Sequence, residues 1–367
     1  MESKKQIKVL VVEDENSQIQ IYQDTVDEYN DDNNIHNIDI SICRTLEEGI
    51  KSLYTPLFDA AIIDLKLSGS TEMEGMSIVE AINENLRIPI FIVSGSISQI
   101  DTINETALLK KRERTTDFNN VLKEIVQIYN TGITNILGNK GVVEKLLNNI
   151  FWKHIPLTLN SWLNDESRDS EQKEKSLLRY TLLHMQEYID EDIEKYHPSE
   201  FYIAAPIKKI IHTGDIVCYE DARYIVLTPS CDMVIRSDGH RGATKILFCK
   251  IVDLKDVINN YDTLDTTTSE NNTTRKRLNV LIENKKQNYH FIPKSNKIGA
   301  GLIDFQDKKT IEEEVVNNCL ANKTMERIAT VSMPFLKDIV SRYSNYYARQ
   351  GSPDFDTNEI FKTLFKD

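Results

Sequence analysis

Apolar and polar positions follow two periods along the first third of the chain. Ile7-Lys8-Val9-Leu10-Val11-Val12, Phe58-Asp59-Ala60-Ala61-Ile62-Ile63 and Ile88-Pro89-Ile90-Phe91-Ile92-Val93 are short, nearly continuous apolar runs. That is the pattern of strands buried on both faces. Leu108-Leu109 is a shorter run, and Ile38 to Ile42 alternates as a strand does. The stretches between them carry helical spacing. Ser17 to Tyr29 places Ile19, Tyr22 and Val26 on one face, and Met76 to Leu86 and Asp117 to Tyr129 read the same way. Thr45 to Leu53 is a further helix, with Thr45 as N-cap and Glu48 closing a capping box. Strands alternating with helices of this size predict a parallel sheet with helices on both faces.

The strand ends carry the chemistry. Asp64 closes the central run, Glu13-Asp14 the first, Ser94-Gly95-Ser96 the third, and Lys110-Lys111 follow the shortest. One aspartate after a strand is an ordinary turn residue. Open α/β sheets, however, place their ligand crevice at the carboxyl ends of the strands. Three acids, a hydroxyl and a lysine gathered there make one carboxylate-rich pocket, and attack of a carboxylate on a phosphoryl donor is a chemistry that asks for these residue types. The transferred group spreads negative charge over its oxygens. Mg²⁺ takes oxygen ligands, and a lysine offers a point charge to phosphate.

On these residues, positions from about 5 to 129 resemble a response-regulator receiver domain, the CheY-like phosphoacceptor module of two-component signalling. The resemblance implies that Asp64 is phosphorylated, and that Glu13, Asp14, Asp64 and the carbonyl of Lys66 hold Mg²⁺. It implies that Ser94 moves onto the phosphoryl group and that Lys110 pairs with it, with Lys111 competing for that role. Gly75 matches the glycine that opens the loop before the third helix. The implied partner is a histidine kinase or another phosphodonor. Three features depart from the pattern. Residues 98–106 leave little room for the usual fourth helix, Ala107 or Leu108 stands where receivers usually have an aromatic, and Lys111 or Arg112 replaces the usual proline.

Beyond residue 130 no output family is matched. Thr131 to Asn139 reads as a hinge, and residues 131–198 as a helical linker with two apolar stripes, Val142 to Ile155 and Leu177 to Ile189. A charged stretch, Asn164 to Lys175, separates them. Such stripes commonly pack within a chain; a homodimer interface is the sharper reading. Residues 199–367 form an α+β region. Short strands at 201–203, 215–219, 223–227, 245–250, 289–292 and 301–305 predict a small β-barrel. Thr213-Gly214-Asp215 is faintly similar to SH3-like barrels such as the MazF and PemK toxins. Asn259 to Lys276 is expected to be a disordered loop, and Ile311 to Tyr347 mostly helical with a break at Pro334.

Two alternative sites stand in this half. Thr228-Pro229-Ser230-Cys231-Asp232 presents a thiol beside a carboxylate, with His212 or His240 as a base. Asp232 with Asp253-Leu254-Lys255 is superficially similar to the PD-(D/E)xK nuclease pattern. Arg342, Arg349 and Gly351-Ser352-Pro353 are placed to dock onto the barrel or a ligand.

Composition then narrows the classes. The 367 residues carry a net charge of −13, which argues against broad binding to nucleic acid or an anionic membrane. No helix-turn-helix with a basic second helix is evident, so sequence-specific DNA binding is not expected. Five cysteines without zinc spacing and an N-terminus without a signal-peptide core predict reduced thiols and a cytoplasmic protein. The reading is a two-component signalling protein whose Asp64 is phosphorylated with Mg²⁺ to regulate residues 131–367. The alternatives are an effector enzyme, nuclease or thiol-dependent, serving phage defence under receiver control, and a scaffold whose receiver no longer switches. Whether the chain is an enzyme is left open.

Overall fold

The computed structural model describes residues 4–53, 58–67, 75–95, 104–139, 141–190, 195–237, 239, 241–351 and 353–365. The chain divides into two compact units, Met1–Ile193 and Glu194–Asp367.

The first unit is built on five strands, β1 (Lys5–Val12), β2 (His36–Cys43), β3 (Ala60–Ile63), β4 (Ile90–Ser94) and β5 (Leu109–Glu113). All pair in parallel, in the order β2-β1-β3-β4-β5. Helices α1 (Asn16–Asp32), α2 (Leu46–Leu53), α3 (Gly75–Asn85) and α4 (Phe118–Asn130) cover both faces. Alternation along β1 sorts the two cores. Ile7, Val9 and Val11 pack with Tyr22 and Val26 of α1 and with Leu122 and Ile125 of α4. Leu10 and Val12 face the other way, onto Ile78 and Ile82 of α3. This is a doubly wound parallel α/β fold, as the sequence predicts, and its strand order reverses between β1 and β3, where such sheets open a crevice.

Local chemistry sets the helix ends. The Glu48 N–H donates to the Thr45 hydroxyl at 3.2 Å, while the Glu48 carboxylate accepts from the Arg44 N–H at 2.7 Å. The predicted box thus closes one residue early. Asp117 caps α4 by accepting from the Asn119 N–H.

β5 differs from the expectation. The apolar run stops at Leu109, but the strand continues to Glu113, with Ser94 of β4 opposite Glu113. β5 is the sheet edge and is only half-buried, so charged residues extend it where apolar patterning ends. Between β4 and β5 the described residues hold no helix, and Ser96 and residues 97–103 lie outside them.

After α4 the expected hinge contains a helix, α5 (Ile133–Leu137), followed by α6 (Val142–Asn149). Arg87, just past α3, donates to the Leu137 carbonyl and pairs with Glu144 at 2.7 Å, which fastens this segment to the sheet unit. A π-helical turn, Ile150–His154, leads into α7 (Ile155–Leu163). α8 (Ser170–Ile189) starts on an Asp169–Gln172 capping box, inside the stretch expected to be a charged separator.

The second unit is an antiparallel, curled half-barrel of seven strands: β6 (Tyr202–Ala204), β7 (Asp215–Tyr219), β8 (Ala222–Val226), β9 (Lys245–Asp253), β10 (Tyr289–Ile292), β11 (Gly301–Glu312) and β12 (Met325–Val331). Their order is β10-β11-β9-β8-β7-β12-β6. One side chain links the two edges, the Tyr202 hydroxyl of β6 donating at 2.7 Å to the carbonyl of Pro293, just past β10. Its helices are α9 (Ser230–Met233), α10 (Leu254–Val257), α11 (Thr273–Ile282), α12 (Glu313–Ala321), α13 (Met333–Ala348) and α14 (Thr357–Leu364). Leu336 and Ile339 of α13 fill the core beside Phe201, Ile216 and Phe305.

Two expectations are corrected here. Residues 259–276 are ordered by side-chain turns: Asp265 accepts from Thr267 and Thr268, and Asn272 caps α11. Residues 311–347 are interrupted by β12, whose Met325, Ala329 and Val331 face the core. Pro334 sits in the first turn of α13, where its missing N–H costs nothing, so it starts the helix.

Candidate functional site

Asp64 follows β3 at the switch point and is buried, as are Glu13 at the end of β1 and Ser94 at the end of β4. Carboxylate oxygens of Glu13, Asp14 and Asp64 all lie within 4.8 Å of one another. Gly75 opens α3 against this loop. A Cβ there would stand 2.2 Å from the Asp64 carbonyl oxygen, so only glycine allows the approach. Lys66 keeps its side chain in solvent, and its N–H lies 3.4 Å from Asp64 Oδ1.

The cation at this site is Arg114. Its Nη2 donates to Asp64 Oδ2 at 2.5 Å and to both Glu13 oxygens at 3.1 Å, and its Nη1 reaches Glu15 Oε2 at 2.6 Å. The Glu15 N–H also donates to Glu13 Oε1 at 3.1 Å. Lys110 is not brought to the site. It lies one pair from the start of β5, opposite Phe91, and its Nζ pairs with Glu124 of α4 at 2.6 Å. Arg112, two residues on and on the same face, shares Glu124. Lys111 pairs with Ile92 in mid-strand, and its N–H donates to Glu105. The reason is register: β5 ends four residues later than its apolar run, so Arg114 stands where the shorter strand would have put Lys110. With Arg114 as the end cation, the position three residues earlier holds Lys111, again not an aromatic. The missed signal was the unbroken basic run from Lys110 to Arg112 continuing to Arg114, an edge strand written in charges.

Burial pushes the Glu13 carboxyl up to about 7, with the Asp64 charge adding to the rise and the Glu15 N–H and Arg114 opposing it. Burial also works against the Arg114 charge, but Glu13, Asp64 and Glu15 outweigh it and hold its pKa above the ordinary value. Three acids therefore share one guanidinium, with Asp14 close beside two of them. Such a donor set, all oxygen and short of positive charge, fits a hard divalent cation. Glu13, Asp14 and Asp64 are the residues that would hold it.

The second unit holds the residues of the two alternative sites. Cys231 lies exposed on α9, and among the described residues no hydrogen bond joins it to His212. His212 is engaged with Asp215, and His240 lies outside the described residues. Asp253 ends β9 and pairs with Arg223, whereas Asp232 lies by the start of that strand, its carbonyl accepting from the Ala243 N–H. Arg342 is bound by Asp338 at 2.7 Å and by the Asn284 carbonyl at 2.9 Å, and Arg349 by Gln287. Both tie the α13 end to the turn between α11 and β10, and Ser352 lies outside the described residues.

No protein-family model matches the chain, and no curated protein does. Among solved structures it is similar to a response regulator from Thermotoga maritima, in complex with Mg(2+)-BeF, at 16% identity and a TM-score of 0.27, covering 33% of this chain and 98% of that one. A CheY-like receiver domain from Methanospirillum hungatei matches at 19% identity and a TM-score of 0.27, covering 35% and 96%. Another from Methylobacillus flagellatus matches at 17% and 0.26, covering 34% and 99%.

Proposed function

We propose that the first unit is a phosphoacceptor switch of the two-component type, in which Asp64 takes a phosphoryl group from a histidine kinase or another phosphodonor. The observation that carries this reading is Asp64 buried at the end of β3 between Glu13 and Asp14, with Arg114 already bonded to it. Mg²⁺ at Glu13 and Asp14, with the Lys66 carbonyl, would supply charge neutralisation for the incoming phosphoryl group. The Asp64 carboxylate attacks phosphorus in line, and the donor keeps the electrons of the broken bond. Arg114, released from Asp64 Oδ2, offers a fork of donors to phosphoryl oxygens. Ser94 supplies a hydroxyl from β4.

In this reading the receiver ends near residue 130, residues 131–198 form the linker, and residues 199–367 are the regulated output, acting in the cytoplasm. The test is incubation with Mg²⁺ and acetyl phosphate, followed by intact-mass and peptide mapping. The expected result is one adduct on Asp64, absent in Asp64→Asn. An unmodified chain, together with no thermal shift on adding beryllofluoride and Mg²⁺, overturns it.

A further inference from the structure

The helical pair α7 and α8 is held together along one seam and leaves a second apolar face open. The seam is polar and aromatic. His154 Nε2 lies 2.7 Å from the Tyr188 hydroxyl, the Thr158 hydroxyl donates to Tyr180 at 3.3 Å, and the Trp162 and Tyr180 rings stand 5.9 Å apart. These contacts pair early α7 residues with late α8 residues, so the two helices run antiparallel. On α8 the seam uses Tyr180, His184 and Tyr188, four residues apart.

A different stripe on α8 consists of Leu178, Leu182, Met185 and Ile189, at steps of four, three and four. The other arm repeats those steps at Trp152, Pro156, Leu159 and Leu163. Steps of four and three are the signature of a helix seam that meets another helix. Yet Trp152, Leu163, Leu178, Leu182 and Ile189 are each more than half exposed.

Both stripes lie on one side of the hairpin. At about 100° per residue, each is centred roughly 130° past its own seam, in the same rotational sense along the chain. In an antiparallel pair, equal rotations from a shared seam bring the two stripes to the same side. The opposite side carries Leu157 and Leu183 among Lys153, Asn160, Arg179 and Gln186.

We propose that this face is closed by a second copy of the chain, the two hairpins forming a four-helix bundle about a twofold axis. A two-helix layer with heptad stripes is complemented by another such layer, and a twofold pairing supplies it from the same surface. The stripes expose several hundred Å², of the order of the roughly 800 Å² per partner of a standard interface. A single helix such as α14 would fill one groove and leave half of the layer in water.

Sedimentation and light scattering of the full chain test this, at concentrations from 1 to 100 μM on the order of ordinary interface affinities. The expected mass is twice 42.3 kDa. Leu178→Glu with Leu182→Glu should halve it while leaving the circular dichroism intact, because both side chains are already solvent-exposed. Leu157→Glu with Leu183→Glu, on the polar side, should leave the dimer unchanged. A monomeric wild type overturns the proposal, as does a dimer that survives the Leu178 and Leu182 pair. A chain that becomes dimeric only after removal of residues 353–367 overturns it as well, since its own tail would then be the occupant.

Discussion

Each unit buries an aspartate against an arginine, and the two pairs are built for opposite ends. Asp215 has no exposure, and its oxygens are fully engaged: Arg327 Nε at 2.8 Å, the His212 N–H at 3.0 Å, and the Thr330 hydroxyl at 2.6 Å. Burial alone would raise its carboxyl, but the hydrogen bonds from His212 and Thr330 hold it below the ordinary value. Asp64 shares Arg114 with Glu13 and Glu15 and lies beside Asp14, and the burden of burial falls on Glu13, raised to about 7. A carboxylate surrounded by donors is a fastening for the half-barrel. Carboxylates crowded around one guanidinium offer oxygen ligands, which is what the proposed function asks of them.

The comparison breaks most visibly on removing each aspartate. Asp215→Ala leaves the half-buried Arg327 and His212 without their buried partner, and should cost about 3 kcal/mol, seen as early loss of the second unit in urea. Asp64→Asn removes one of four crowded acids while Arg114 keeps Glu13 and Glu15. Its stability should stay within about 1 kcal/mol of the wild type, while phosphoryl uptake vanishes. Equal losses in the two variants would mean that Asp64 is also a fastening.

A smaller effect follows from the arginines. Arg114→Ala strips the acid cluster of its cation and should destabilise the metal-free first unit by about 2 kcal/mol. Mg²⁺ should return that loss, since a ligand at 100 times its Kd stabilises by about 2.7 kcal/mol. Arg327→Ala should lose stability that Mg²⁺ does not restore. Urea titrations with Mg²⁺ and with chelator read both. Rescue of Arg327→Ala, or none for Arg114→Ala, would erase the distinction.

How far these two regions were legible in the sequence differs for a physical reason. β1, β3 and β4 are buried on both faces, so their apolar runs mark them and their ends locate Glu13, Asp14, Asp64 and Ser94. β5 lies at the edge, where Lys110, Arg112 and Glu124 pair in partial solvent, and hydrophobicity says nothing about where such a strand stops. Arg114 was therefore missed. In the half-barrel, β12 breaks its alternation at Arg327 and Ile328, where its pairing with β7 shifts register, and its short run between two helices hid it. The Asp215 cluster joins residues more than a hundred positions apart, which no local pattern shows.

Proton linkage gives a third contrast. Glu13 has a folded pKa of about 7 against an ordinary 4.5. Its contribution is fully present below pH 4.5 and is lost as pH rises through 7, at no more than about 1.4 kcal/mol per pH unit. The metal-free first unit should weaken over that window and level off above it. A metal ligand must be deprotonated, so Mg²⁺ affinity should climb over the same window. Asp215, with its folded pKa depressed, contributes in the opposite sense: stability present above the ordinary carboxylate pKa and lost as pH falls below it. Hydrogen exchange at pH 5, 6 and 7.5, with and without Mg²⁺, separates the two. A first unit whose stability is flat from pH 5 to 7.5 would refute the assignment of Glu13.

The smallest expected effect concerns transmission. The site cation ends the same strand whose Lys110 and Arg112 grip Glu124 of α4. A phosphoryl group on Asp64 would draw Arg114 away from Glu13 and Glu15, pulling the end of β5. No aromatic stands three residues before Arg114 to carry a signal, so the strain passes along β5 to the Glu124 pair and into α4. α4 runs on into α5, which Arg87 fastens to the sheet through the Leu137 carbonyl and Glu144. Phosphorylation is therefore expected to shift an existing equilibrium in the packing of residues 131–190. A tenfold shift needs about 1.4 kcal/mol, within reach of one new charge-assisted contact. Hydrogen exchange over residues 131–190, with and without beryllofluoride, should change by about that factor, and Arg87→Ala should abolish the change. Unaltered protection there, with Asp64 occupied by mass spectrometry, would show that the first unit does not signal through these helices.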